Sequence, residues 1–256
     1  MYSLFSTSSD KAGYRLQYME VYNWGTFDGE IFKISPKGNN SLLTGANASG
    51  KSTFIDALLT LLVPVKGDRF YNQSSGVEKK GDRTEETYVY GHYGNIQNEG
   101  ELKATTQKLR DHTAYSVLLA SFENTEGQVI TLFQVRWFSN GELKRSFGIA
   151  HVPLEIEKDF GQFDGKGIWK RRLEKIYNYA VSKKRVEFLD GPTKYAERLA
   201  HLFGMRSVNA LSLFNQVVGV KVLEDLDEFI RMNMLEYQDA EAEFIQLKES
   251  FITPTT

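Results

Sequence analysis

The chain has 256 residues, no cysteine, and 31 basic against 33 acidic side chains. That length holds one large domain or two small ones, and the lack of cysteine excludes disulfides and cysteine-ligated metals. No apolar run approaches the ~18–20 residues that cross a bilayer, and MYSLFSTSSDKAGYRL lacks the charged start and apolar middle of a secretory signal, so a soluble, cytoplasmic protein without a membrane partner is expected.

YRLQYMEVYNWGTF (Tyr14–Phe27) has strand character, and GEIFKI (Gly29–Ile34) reads as a second strand after the turn signal Asp28-Gly29. The short run Ser41–Thr44 reads as a buried strand. Ser52 to Leu62 then reads as a helix, because Phe54, Ile55, Leu58, Leu59 and Leu62 recur at helical spacing and Pro64 stops it. Lys66–Thr87 is polar and glycine-dotted, a long surface loop of a length more often functional or mobile than idle. Thr87–Gly94 reads as a strand and Gln97–Asp111 as a weak polar helix. Ala114–Asn124, Gln128–Asn140 and Glu142–Val152 are three strand-like runs joined by tight turns, which predicts an antiparallel meander. Gly167–Ala180 and Thr193–Phe203 read as helices.

The charge is unevenly distributed. From Glu224 onward there are nine acidic and two basic residues, which leaves 29 basic and 24 acidic before it, a mildly basic +5. Contact with nucleic acid and two merely solvated surfaces are both compatible with that balance. In the same region Leu223, Ile230, Tyr237, Phe244 and Phe251 fall every seven residues, with Leu226, Asn233, Ala240 and Leu247 three further on. Spacing kept over four heptads predicts the start of a coiled coil, the alternative being one amphipathic helix packed on the domain. The expected division is 1–222 for the main domain and 223–256 for the coiled-coil start.

The chemistry concentrates between these elements. Gly45-Ala46-Asn47-Ala48-Ser49-Gly50-Lys51-Ser52 fits G-x-x-x-x-G-K-[ST], between an apolar run and an amphipathic helix. Gly45 and Gly50 let the backbone approach phosphate. The amides of Asn47, Ala48, Ser49, Gly50, Lys51, Ser52 and Thr53 would form an anion nest at a helix N-terminus. Lys51 supplies a point charge to the outer phosphates and Ser52 a hydroxyl to Mg²⁺. The expected cofactors are ATP and Mg²⁺. Guanine-nucleotide switches are excluded: Asp10-Lys11-Ala12-Gly13 precedes the loop instead of following it, and no Asn-Lys-x-Asp exists. His92, His112, His151 and His201 lack metal-ligand spacing. Trp169-Lys170-Arg171-Arg172 and Lys183-Lys184-Arg185, near Tyr177 and Tyr179, fit either phosphate contact or a solvated helix face.

GANASGKST resembles the Walker A of ABC-type ATPases, and within those the SMC group. MEVYNWGTFDGEIFKI, with Asn23-Trp24 before the second strand, resembles the MukB-like branch. TYVYGHYG and SLFNQVVGVKVLEDLDEFIRMNML resemble the SMC-type subunits of Wadjet plasmid-defence systems. The resemblance runs from about Tyr14 to Phe251 and implies a fold: an α/β P-loop NTPase of the ABC/SMC head type, N-terminal lobe, with an antiparallel β meander, helices and a coiled-coil stub. It implies that Gln216 is the Q-loop glutamine on Mg²⁺ and the γ-phosphate side; on the residues alone, Gln216 reads as a buried amide. It further implies ATP sandwiched between two heads, a homodimer, kleisin and KITE-type subunits, a nuclease subunit and double-stranded DNA.

No catalytic carboxylate is found. The signature loop and Walker B Asp-Glu of that family lie in the C-terminal half of the head, beyond a coiled coil. Phe188-Leu189-Asp190 is the nearest apolar run ending in Asp, but Glu187 interrupts it and Gly191-Pro192 turn it. The expectation is an N-terminal half-head whose ATPase activity needs a separate C-terminal half. The final FITPTT is unlike the family's continuing coil, as for an artificial or premature end. The alternative is a nucleotide-sensing structural module that never turns over.

Overall fold

The computed structural model describes residues 13–69, 84–96, 105–179, 184–205 and 207–211. The coiled coil expected over Leu223–Phe251, Gln216, and most of the loop between Lys66 and Thr87 lie outside them.

Six strands form one sheet in the order β2-β1-β5-β6-β7-β8. They are β1 (Arg15–Trp24), β2 (Phe27–Ile34), β5 (Tyr115–Glu123), β6 (Val129–Ser139), β7 (Glu142–Ala150) and β8 (Val186–Leu189), and every neighbour is antiparallel. The expected meander is β5-β6-β7, with Leu119 opposite Phe133 and Phe133 opposite Gly148. A separate ribbon pairs β3 (His92–Ile96) with β4 (Thr105–Lys108).

Both faces of the sheet are covered, which explains why β5 and β6 read as nearly continuous apolar runs and not as clean alternation. Successive side chains point to opposite faces. Met19, Val21, Leu118, Ala120, Leu132, Phe147 and Ile149 share one core with Phe54, Ala57 and Leu61 of α1 (Lys51–Leu62) and with Tyr195 and Leu199 of α4 (Pro192–Leu202). Val117, Leu119, Phe133 and Val135 take the other face, against Phe160 and against Trp169 and Leu173 of α3 (Ile168–Tyr177). The result is a helix–sheet–helix sandwich, with α1 laid across the sheet so that its N-terminus carries the glycine loop.

Three expectations need correction. Thr87–Gly94 is not one strand. Glu85–Tyr90 is a helical turn, α2, closed at its start by reciprocal bonds between Thr84 and Thr87 and at its end by Gly91 at φ 67°; β3 begins only at His92. Thr105–Lys108, within the expected polar helix, is strand β4. Ser41–Thr44 forms no strand: the segment is exposed, Leu42 at 87% and Leu43 at 40%. A run of apolar β-formers becomes a strand only where a neighbouring backbone takes its hydrogen bonds, and no described strand lies beside this one.

Candidate functional site

The glycine loop joins this exposed segment to α1. Gly45 to Ser49 are exposed, and Gly50 to Thr53 are half-buried. Gly50 sits in the left-handed region (φ 88°, ψ 4°) as the residue before α1, and offers no side chain to cap it. Ala48 also has positive φ, 63°, a conformation that costs an L-residue about 1 kcal/mol. No acidic residue occupies the first turn of α1. The first amides of this helix are therefore uncapped, under a positive dipole end, as an anion requires.

Lys51 curls back over its own loop. Its ammonium donates to the carbonyls of Gly45 (2.7 Å) and Ala46 (2.6 Å) and lies 3.4 Å from Ser49 Oγ. An adjacent backbone bond from Ser49 to Ala46 (3.3 Å) tightens the turn. The loop thus forms a ring with a cation held across it by neutral acceptors, which phosphate oxygens outcompete because charge-assisted bonds are stronger.

The loop is seated from behind by β1 and β2. Asn23, at φ 51°, occupies a bulge where the β1–β2 register shifts between Tyr22 and Trp24. Its amide donates to Tyr115 O (3.1 Å) and its carbonyl oxygen accepts from Gly29 N (2.9 Å). The bulge turns Trp24 onto Tyr88, the rings stacked at 4.7 Å, and Tyr88 OH donates to the buried Asp56 of α1. The Asn23-Trp24 pair therefore fixes α1 to the sheet. The β1–β2 turn then closes on the loop, because a Cβ on Gly25 would stand 2.6 Å from Thr53 Cγ2.

Arg110 holds that turn, and nothing in the sequence signalled it. Its guanidinium donates to Gly25 O (2.8 Å), Phe27 O (3.0 Å), Tyr88 O (2.8 Å), Val89 O (2.8 Å) and Asp28 Oδ1 (2.9 Å). All five guanidinium N–H groups are thereby used.

The predicted site residues divide cleanly. Gly45, Asn47, Ala48, Ser49, Gly50, Lys51, Ser52 and Thr53 form one continuous loop and helix start. Gln216 lies outside the described residues. Asp190, rejected above as a Walker B residue, is 82% exposed in its side chain and paired with Lys194 at 2.9 Å. Among the described residues no cluster of three or more His, Asp or Glu side chains could hold a metal ion. The residues present fit a Mg²⁺-bound triphosphate: Ser52 carries the hydroxyl for the cation, and the uncapped amides and Lys51 suit the phosphates. Arg172 of the first basic cluster is committed to Gln162 Oε1 (2.6 Å) and Asp159 O (2.9 Å), and Lys170 packs over the Trp169 and Phe188 rings.

Residues 16–78 match the family model described as the P-loop containing region of AAA domain. No curated protein matches the chain. A chain solved in work on ATP-driven dimerization and DNA-stimulated activation of SMC ATPases aligns over 62% of this chain and 96% of its own length, at 14% identity and a TM-score of 0.32. Among the described residues no helix is long and apolar enough to cross a membrane. Loop geometry, the match over 16–78 and the layered sheet together make this a mixed α/β unit of the P-loop NTPase type, built on an antiparallel sheet.

Proposed function

We propose that this chain is the ATP-binding N-terminal half-head of an SMC-like, DNA-entrapping ATPase, of the kind represented by JetC in Wadjet anti-plasmid defence. The observation that carries the reading is the segment just ahead of the glycine loop. Leu42 and Leu43 stand exposed, no described strand pairs with residues 41–44, and a cavity of about 840 Å³ opens beside them, bordered by Leu16, Ile34, Ile55 and Leu58. Unpaired apolar backbone next to a functional loop invites strands from elsewhere. A C-terminal half supplying a Walker B strand would pair here, cover the leucines, and bring the Asp-Glu that this chain lacks.

In that assembly Lys51 and the loop amides hold the β- and γ-phosphates, Ser52 holds Mg²⁺ with Gln216, and a second head closes over the nucleotide. Mg²⁺ when bound neutralises charge on the transferring phosphoryl group. Kleisin and KITE-type subunits, a nuclease subunit and double-stranded DNA belong to this proposal through the family resemblance.

The test measures binding of a fluorescent ATP analogue and ATP turnover, for wild type and Lys51→Ala, with and without the C-terminal head half. The expected result is binding by wild type, loss of binding in Lys51→Ala, and turnover only in the mixture. Turnover by the isolated chain, or no binding at all, overturns the proposal. Binding without turnover in any mixture identifies a nucleotide-sensing structural module instead.

A further inference from the structure

The end of α1 opposite the glycine loop meets a second positively charged cavity. The helix has 12 residues, so its two ends are about 18 Å apart, and the two features are separate sites. The cavity measures about 430 Å³ and is bordered by Lys66, Arg145, Ser146, Lys170 and the start of α4 at Gly191-Pro192.

Its charge is unbalanced. Behind it Glu85, almost fully buried, is shared by three arginines: Arg69, Arg136 at 3.0 Å and Arg145 at 2.6 Å. Arg136 and Arg145 alone set two positive charges against that one carboxylate. Lys66 and Lys170 add two more, and neither makes an ion pair among the described residues. Among the described residues Asp190 is the one other acid on the wall; it is bound to Lys194, and with Glu174 it also lies within electrostatic reach of Lys170.

Two further features favour an anion. The first turn of α4 carries no acidic residue and no side-chain cap, so its dipole end faces the cavity uncompensated. Ser146, 3% exposed, borders the cavity, and its hydroxyl has no hydrogen-bond partner; behind the wall, the buried Nη1 of Arg136 also has no acceptor. Buried polar groups rarely stay unpaired, and cations converging with a helix start form the usual chemistry of phosphate recognition.

We infer that this cavity is a second phosphate-binding site, taking a phosphate group of a ligand other than the nucleotide on the glycine loop. Lys66, Arg145 and Lys170 make the charge contacts, and the Ser146 hydroxyl and the dipole at the start of α4 complete them. The inference stands on this cavity alone and not on the half-head reading.

Pyrophosphate is the probe, titrated calorimetrically into the full chain carrying Lys51→Ala, which removes the charge from the glycine loop. Binding is expected to persist there and to weaken about tenfold for each of Arg145→Gln and Lys170→Gln, as for one lost charge-assisted contact. Lys66→Gln, at an exposed position, gives the same direction without touching the Glu85 cluster and serves if the Arg145 variant fails to fold. No pyrophosphate binding in Lys51→Ala, or binding indifferent to all three substitutions, overturns the inference. A competing short DNA duplex separates the two sources of phosphate. Displacement of pyrophosphate assigns the site to a nucleic-acid backbone, and coexistence assigns it to a small phosphorylated ligand.

Discussion

The ring of Phe27 lies directly on Gly50: a Cβ at position 50 would stand 2.7 Å from Phe27 Cζ and 2.8 Å from Cε1. The second glycine of the loop is thus required twice, for its left-handed backbone and for the ring against it. Gly50→Ala incurs about 1 kcal/mol for the backbone and more for the displaced ring. It is expected to lower the melting temperature and to abolish nucleotide-analogue binding. Phe27→Leu added to Gly50→Ala relieves the contact and leaves the backbone penalty. The double variant should recover part of the stability and little of the binding. Full binding by Gly50→Ala would show that the loop does not need this conformation.

Arg110 reaches the same loop through the backbone. Arg110→Ala removes donors from four buried carbonyls and one carboxylate; Tyr88 O keeps the backbone donors Gly25 N and Gly91 N, and each acceptor left orphaned is worth ~1–3 kcal/mol before relaxation. A loss above about 3 kcal/mol is expected in urea denaturation. Arg110→Lys has three donors and no planar fork, so it should recover less than half of that loss. If lysine restores full stability, Arg110 acts as a charge near Asp28 and not as a fork.

Much of this was legible in the sequence, and each failure has a local cause. The glycine loop, α1, the paired strands β1 and β2, the β5–β7 meander, α3 and α4 all sit where periodicity and turn chemistry place them. Helix α2 reads as a strand because Tyr88 and Tyr90 alternate around Val89, although Thr84 and Thr87 cap one another at its start. Ser41–Thr44 reads as buried on its apolar composition; whether a strand forms there depends on a neighbour no local pattern reveals. Arg110 and the Glu85 cluster were invisible for another reason. Arg69, Glu85, Arg136 and Arg145 are scattered along the chain, and only the register of β6 against β7, with Arg136 opposite Arg145, brings two of them together.

The Glu85 cluster makes stability depend on pH. Burial pushes the Glu85 carboxyl up, but the charges of Arg136, Arg69 and Arg145 outweigh it and hold the group well below the ordinary carboxylate range. A folded-state value below the unfolded one means the cluster contributes fully above the ordinary value of 4.5 and loses its contribution as pH falls below that. Glu85→Gln leaves the arginines without their counter-charge, so a loss of roughly 3–5 kcal/mol at neutral pH is expected. Its stability should also fall less steeply than wild type below pH 4.5. Parallel acid limbs in denaturant titrations would show that Glu85 does not govern this region.

The opposite face of the sheet depends on a glycine for room alone. Gly148 of β7 pairs with Phe133 of β6 on one side and with Phe188 of β8 on the other. The Phe133 ring crosses over it, so that a Cβ at 148 would fall 2.0 Å from Phe133 Cζ, and it ends edge-on to Phe188 at 5.7 Å. The gap left by the missing side chain is filled by the ring. Gly148→Ala therefore forces Phe133 out of a closed core, an overpacking cost of about 1–3 kcal/mol. Phe133→Leu alone leaves a cavity and is also destabilising. Combined, the methyl enters space the ring has vacated, so the double variant should be more stable than the sum of the two losses predicts, by about 1 kcal/mol. Urea midpoints at unchanged slope read this coupling directly. Strict additivity would mean that the ring has another rotamer available and that Gly148 is there for some reason other than the space it leaves.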